Sequence, residues 1–219
     1  MTNYTKRALW GTFIIFAMTI LAAGLGYLFR LLLARNLTQV EYGLFYAVFA
    51  LIGMLSLFRS FGLSEAVVKF IPEFLMKRKK NMVKSSVLTA LFLQLISSTV
   101  IVMIFIFLSG YLSRNYFHDP LSVWVLNLLL IGFLLSILEY TYGSFFAGFQ
   151  KMNYVSFIDF TRTLIVLIVT LVLFQFQKSI LMPPIAYILA YLIVPFIYFP
   201  LLKRIFPKFR NMLKKIIWN

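Results

Sequence analysis

The sequence predicts an all-α polytopic membrane protein with six transmembrane helices, on the strength of its composition, its charge-free runs and the spacing of its basic residues. Of 219 residues, 62% are hydrophobic, 18% aromatic and only 12% charged, and the mean hydropathy is +0.94. Soluble domains run at roughly 45–50% apolar residues, so this chain would lack the polar residues to cover a soluble surface. Runs without Asp, Glu, Lys or Arg cover 8–29, 42–58, 85–113, 120–138, 163–177 and 179–202. A helix needs about 20 residues to cross a hydrocarbon core of about 30 Å. Some runs suffice alone, and the others reach that length when a few charges are admitted. The predicted spans are 8–29, 42–69, 85–109, 122–149, 154–177 and 183–202, followed by a basic tail over 203–219.

Each span has its own justification. The first follows Lys6 and Arg7, and Ala22-Ala23-Gly24 has the small residues of a signal cleavage site. The run is too long for a signal core and five spans follow, so it is read as a retained helix. A short connection at 36–41 predicts an antiparallel hairpin with the second span, which admits Arg59 and Glu65 and ends near Lys69. The third follows the longest connection, 71–84. The fourth carries Glu139 among Gly132, Ser136, Gly143, Ala147 and Gly148, small residues at three- and four-residue steps that favour close helix approach. The fifth opens with Asp159 and Arg162 at the interface. In the sixth, Pro183-Pro184 suits a first helical turn, and Pro195 and Pro200 each remove an internal hydrogen bond, which predicts a kink and a candidate hinge.

Orientation follows from the basic connections. Lys77, Arg78, Lys79, Lys80 and Lys84 lie on the same side as Lys6, Arg7, Lys151, Arg162 and the six basic residues of 203–215, whereas the other side has only Arg30, Arg35, Arg114 and Lys178. Lys and Arg are retained in the cytoplasm, so both termini are predicted to be cytoplasmic in a multi-pass protein of the plasma membrane. The net charge of +15 is then a property of loops and tail facing anionic headgroups, and no nucleic-acid partner is expected.

Catalytic constellations are missing. There is no cysteine, the one histidine, His118, sits beside Asp119 in a predicted outer loop, and the six acidic residues form no paired-carboxylate motif. No nucleophile elbow, P-loop or zincin motif occurs. An enzyme, a metal site or a cofactor is not expected.

Polar chemistry enters the bilayer at a few positions. Arg59 lies 17 residues beyond Tyr42, and Glu139 lies 17 residues beyond Ser122 on a span of the same direction. An intramembrane charge is costly and normally faces a bundle interior or an aqueous cavity. The two are therefore expected to pair or to share one wet cavity, with Arg59 either an anion-binding group or a structural arginine. Tyr140 and Tyr142 flank Glu139 and could stack on a sugar ring or serve in packing. Glu65 with Lys69, and Asp159 with Arg162, have the spacing of interfacial ion pairs.

Three segments carry a family resemblance. They are Gly26-Tyr27-Leu28-Phe29-Arg30-Leu31-Leu32-Leu33-Ala34-Arg35-Asn36-Leu37 with Glu41-Tyr42-Gly43-Leu44-Phe45, then Phe61-Gly62-Leu63-Ser64-Glu65-Ala66 with Lys69-Phe70-Ile71-Pro72-Glu73, then Ala147-Gly148-Phe149-Gln150-Lys151-Met152-Asn153-Tyr154. Their order resembles the polysaccharide and lipid-linked oligosaccharide flippases of the multidrug/oligosaccharidyl-lipid/polysaccharide exporter superfamily. The resemblance implies a MATE-like transporter of twelve or more helices in two lobes, of which this chain matches the N-terminal lobe. The second lobe is then a C-terminal half beyond this chain or a second copy of it, with 203–219 as tail or inter-lobe linker. By the same resemblance, Arg59 and Arg30 would meet the diphosphate of a lipid-linked glycan, and Glu139 would be a site of ion or proton coupling. The implied function is lipid-linked oligosaccharide export for surface polysaccharide assembly. A membrane scaffold for polysaccharide synthesis enzymes, or a drug or ion exporter of the same superfamily, is the alternative.

Overall fold

The computed structural model describes residues 3–205, so most of the basic tail expected over 203–219 lies outside the described residues. Eight α-helices follow one another: α1 (Asn3–Asn36), α2 (Gln39–Ser60), α3 (Leu63–Met76), α4 (Lys80–Leu112), α5 (Leu121–Leu135), α6 (Ile137–Gly148), α7 (Met152–Phe176) and α8 (Met182–Ile205). A π-helical turn, Ser113–Phe117, extends α4. Six segments are long and apolar enough to cross a membrane: Leu9–Asn36, Gln39–Ser60, Asn81–Phe117, Leu121–Gly148, Met152–Phe176 and Met182–Ile205.

Local chemistry explains the element ends. Thr38 and Glu41 form a capping box at the start of α2: the Glu41 amide donates to Thr38 Oγ1 at 3.3 Å and the Thr38 amide to Glu41 Oε2 at 2.9 Å. Two amide donors that the helix cannot satisfy are thus paired. Pro183 and Pro184 occupy the buried first turn of α8, where a missing N–H costs nothing.

The second span departs from its expected extent. Instead of continuing to residue 69, α2 stops at Ser60, because Phe61 (φ 42°) and Gly62 (φ 80°) both adopt left-handed backbone. Glu65 and Lys69 therefore sit on a separate helix, α3. The fourth span is interrupted at Ser136 between α5 and α6. Pro195 and Pro200 both lie inside α8, which continues through them. The chain reverses between α1 and α2 as the short connection requires, but α1 packs chiefly along α7.

Packing divides the bundle by height. One apolar core unites Phe29, Phe45, Leu126, Leu130, Val166 and Ala190; a second unites Val67, Ile71, Val87, Phe146, Ile158 and Val194. Where the chain passes from one core to the other along α2–α3, α4 and α5–α6, buried polar residues mark the crossover. Arg59, Ser60 and Ser64 separate Leu55 from Val67, Gln94 and Ser98 separate Ala90 from Val102, and Glu139 and Thr141 separate Phe133 from Phe145. The result is a polar layer at mid-height. Close approach supports it: a Cβ added to Gly148 of α6 would come within 2.7 Å of Ile71 on α3.

Candidate functional site

The polar layer contains two guanidinium groups and two carboxylates. Arg59, at the end of α2, is only 5% exposed. Its Nη2 donates to the Phe133 carbonyl at 2.9 Å, and its guanidinium lies 4.0 Å from the centroid of the Phe133 ring and 5.6 Å from that of Tyr140. The interruption at Ser136 makes this possible, since the last carbonyls of a helix have no partner within it. The same carbonyl accepts from Ser136 Oγ at 2.7 Å. Arg59 Nε is buried with no hydrogen-bond partner.

Glu139, 7% exposed, accepts through Oε1 from Arg162 Nη1 at 2.7 Å. Arg162 also donates through Nη2 to Asp159 Oδ1, so it bridges two carboxylates. Glu139 Oε2 is buried and unpartnered. The direct Arg59–Glu139 pair is therefore not formed; Arg162 holds the carboxylate, and Arg59 leans on a carbonyl and two aromatic faces. Geometry selects this arrangement because Arg162, on the neighbouring α7, makes a charge-assisted bond inside the bundle. Asp159 and Arg162 do pair, but at the height of the polar layer: Arg162 is 10 residues past Met152, or about 15 Å along α7.

Two cavities meet at this cluster. A smaller one, about 240 Å³, has Arg59 and Ser136 beside the aromatic residues Phe49, Tyr187 and Tyr191. The larger, about 650 Å³, is lined by Ser64, Glu65, Lys69, Ser156 and Asp159. Glu139, Tyr140 and Arg162 line both. The aromatic wall is continuous, with ring centroids 5.2 Å apart between Phe49 and Tyr187 and 6.1 Å between Tyr187 and Tyr191.

The remaining expected residues are distributed unevenly. Tyr140 lines both cavities, whereas Tyr142 packs against the second apolar core. Glu65 and Lys69 line the larger cavity but form no ion pair with each other among the described residues; Lys69 Nζ lies 5.8 Å from the Phe70 ring centroid. Arg30 is exposed near the end of α1 and lines neither cavity. Sequence reasoning missed Tyr187 and Tyr191, whose four-residue spacing on one face of the sixth span is the signal that could have found them. It also missed the clamp on the α2–α3 junction. Ser97 Oγ on α4 donates to the Arg59 carbonyl at 2.8 Å, and Gln94 Nε2 donates to Ser64 Oγ at 3.1 Å.

These features define a multi-pass helical membrane protein with a buried ion cluster where two cavities meet. The chain belongs to the polysaccharide biosynthesis protein family, whose sequence pattern it matches over residues 8–217. It is 30% identical, over 231 aligned positions, to an uncharacterized membrane protein of Methanocaldococcus jannaschii. That alignment covers 99% of this chain and 45% of the relative, so the chain spans about half the length of the curated protein it matches. No solved structure matches the chain.

Proposed function

We propose that this chain acts as one lobe of a flippase that moves a lipid-linked oligosaccharide across the plasma membrane for surface polysaccharide assembly, both its termini being cytoplasmic. The observation that carries this reading is the buried cluster Arg59–Glu139–Arg162, shared by two cavities and retaining an unpartnered guanidinium nitrogen. Family membership supplies the biosynthetic setting.

The chemistry suits an anionic linkage. Arg59 already uses Nη2 on Phe133, and its vacant Nε can donate to a phosphate oxygen. In a poorly hydrated site that bond is stronger than in water. Phe49, Tyr187 and Tyr191 offer apolar ring faces to the sugar next to it. Glu139 is the switchable partner: protonating it removes a negative charge from Arg162, leaving that guanidinium more available to a phosphate. A second lobe, either the remainder of a longer chain or a second copy, would close the cavities from the other side.

The test is export of surface polysaccharide in cells whose full-length protein carries Arg59→Ala or Arg59→Lys, with its membrane level followed by immunoblot. Arg59→Ala is expected to stop export at normal protein level. Arg59→Lys retains the charge without the planar fork and is expected to export weakly. Wild-type export by Arg59→Ala would remove the anion-site reading.

A further inference from the structure

The two faces of α3 have different surroundings. Ser64, Glu65, Val68 and Lys69 line the larger charged cavity, while Leu63, Ala66, Val67, Phe70 and Phe74 line a separate groove against α4. This groove has a volume of about 440 Å³, and Met82, Ser85 and Thr89 form part of its α4 wall. It shares no lining residue with either cavity at the ion cluster. From Leu63 to Phe74 it follows α3 for about 16 Å. Phe70 and Met82 remain 40% and 47% exposed, so the groove is open along its side.

A basic turn closes one end. The Lys79 amide donates to the Phe74 carbonyl at 2.9 Å, and the Met82 amide donates to the Lys79 carbonyl at 2.9 Å. Lys79 is thus fixed by backbone bonds to a groove residue on each wall. Lys77 is engaged by Glu73 at 2.5 Å, and that hydrogen bond holds the exposed Glu73 carboxyl below its ordinary range. Arg78, Lys79 and Lys84 have no ion pair among the described residues.

We infer that the α3–α4 groove is a binding site for an anionic phospholipid, with one acyl chain lying along Phe70 and Phe74 and the headgroup phosphate held by Arg78 and Lys79. An apolar trough of this length suits a hydrocarbon chain in a bilayer-spanning protein. Two cations in the turn at its end, Arg78 and Lys79, select the charge of the headgroup, each adding attraction near an anionic lipid. This site is independent of the Arg59 cluster and stands whether or not the chain flips a glycan.

The experiment reconstitutes the full chain in nanodiscs of equal phosphatidylglycerol and phosphatidylcholine and identifies the lipids retained after extraction by native mass spectrometry. Retention of phosphatidylglycerol over phosphatidylcholine by about tenfold is expected from two basic contacts partly exposed to water. The surface variant Arg78→Gln/Lys79→Gln is expected to bring the two lipids to near parity. Thr89→Phe, at an exposed groove position, is expected to abolish retention of both. Equal retention by the wild type, or an undiminished preference in the variants, overturns the inference. So does a dimer that retains no lipid, since a second copy would then cover the groove.

Discussion

Arg59 and Arg162 both lie inside the bundle, yet their surroundings assign them different work. Arg162 is saturated by two carboxylates, while Arg59 leans on one carbonyl and two ring faces and keeps a nitrogen in reserve. Removing one member of a buried ion pair strands the other, a loss of roughly 3–5 kcal/mol, whereas replacing both by apolar groups is often nearly neutral. Glu139→Ala should therefore lower the thermal unfolding midpoint in detergent sharply, and Glu139→Leu/Arg162→Met should recover most of that loss. A double variant as unstable as Glu139→Ala would show that Arg162 is not the partner that matters. On the proposed reading export depends on the charges themselves, so the recovered double variant should still fail to export polysaccharide. At this scale the sequence exposed Arg59 and Glu139 as intramembrane charges. It did not expose their partners, because depth along a span says nothing about which way a side chain faces.

Helices set the position of those residues, and the α2–α3 junction is the critical one. Gly62 at φ 80° follows Phe61 at φ 42°, a backbone that any residue but glycine enters at a cost. Gly62→Ala, which keeps all neighbouring contacts, should destabilise by about 1 kcal/mol. A stability equal to wild type in a thermal or denaturant titration would mean that the junction relaxes. Gly148→Leu should cost more, since even a Cβ there comes within 2.7 Å of Ile71 Cδ1 and 3.0 Å of its Cβ. Small residues on the fourth span were legible as a packing face. The break at Phe61–Gly62 was not: a lone glycine in an apolar run is equally compatible with an unbroken helix, and clamps from Ser97 and Gln94 on α4 hold the interruption in place.

Across the whole molecule, two apolar cores stacked around a polar layer give the chain its functional level. Orientation at this scale can be read directly, because residues 1–219 contain no cysteine. A single cysteine at Lys79 should react with a membrane-impermeant maleimide only after permeabilisation, and one at Arg114 should react in intact cells. The reverse pattern would invert the topology and place both termini outside.

The number of apolar helices long enough to cross a membrane was determined by the sequence alone, because hydrophobic length is a local quantity that every neighbouring residue reports in the same sense. The family resemblance was equally legible, since ordered short motifs survive without any knowledge of contacts. The tertiary structure decided the rest. It gave Glu139 to Arg162, brought Tyr187 and Tyr191 from the last helix to Arg59's cavity, and turned the face of α3 bearing Glu65 and Lys69 toward a cavity instead of toward each other. Each of those outcomes depends on how helices rotate about their axes, and rotation is chosen by packing between segments far apart in the chain.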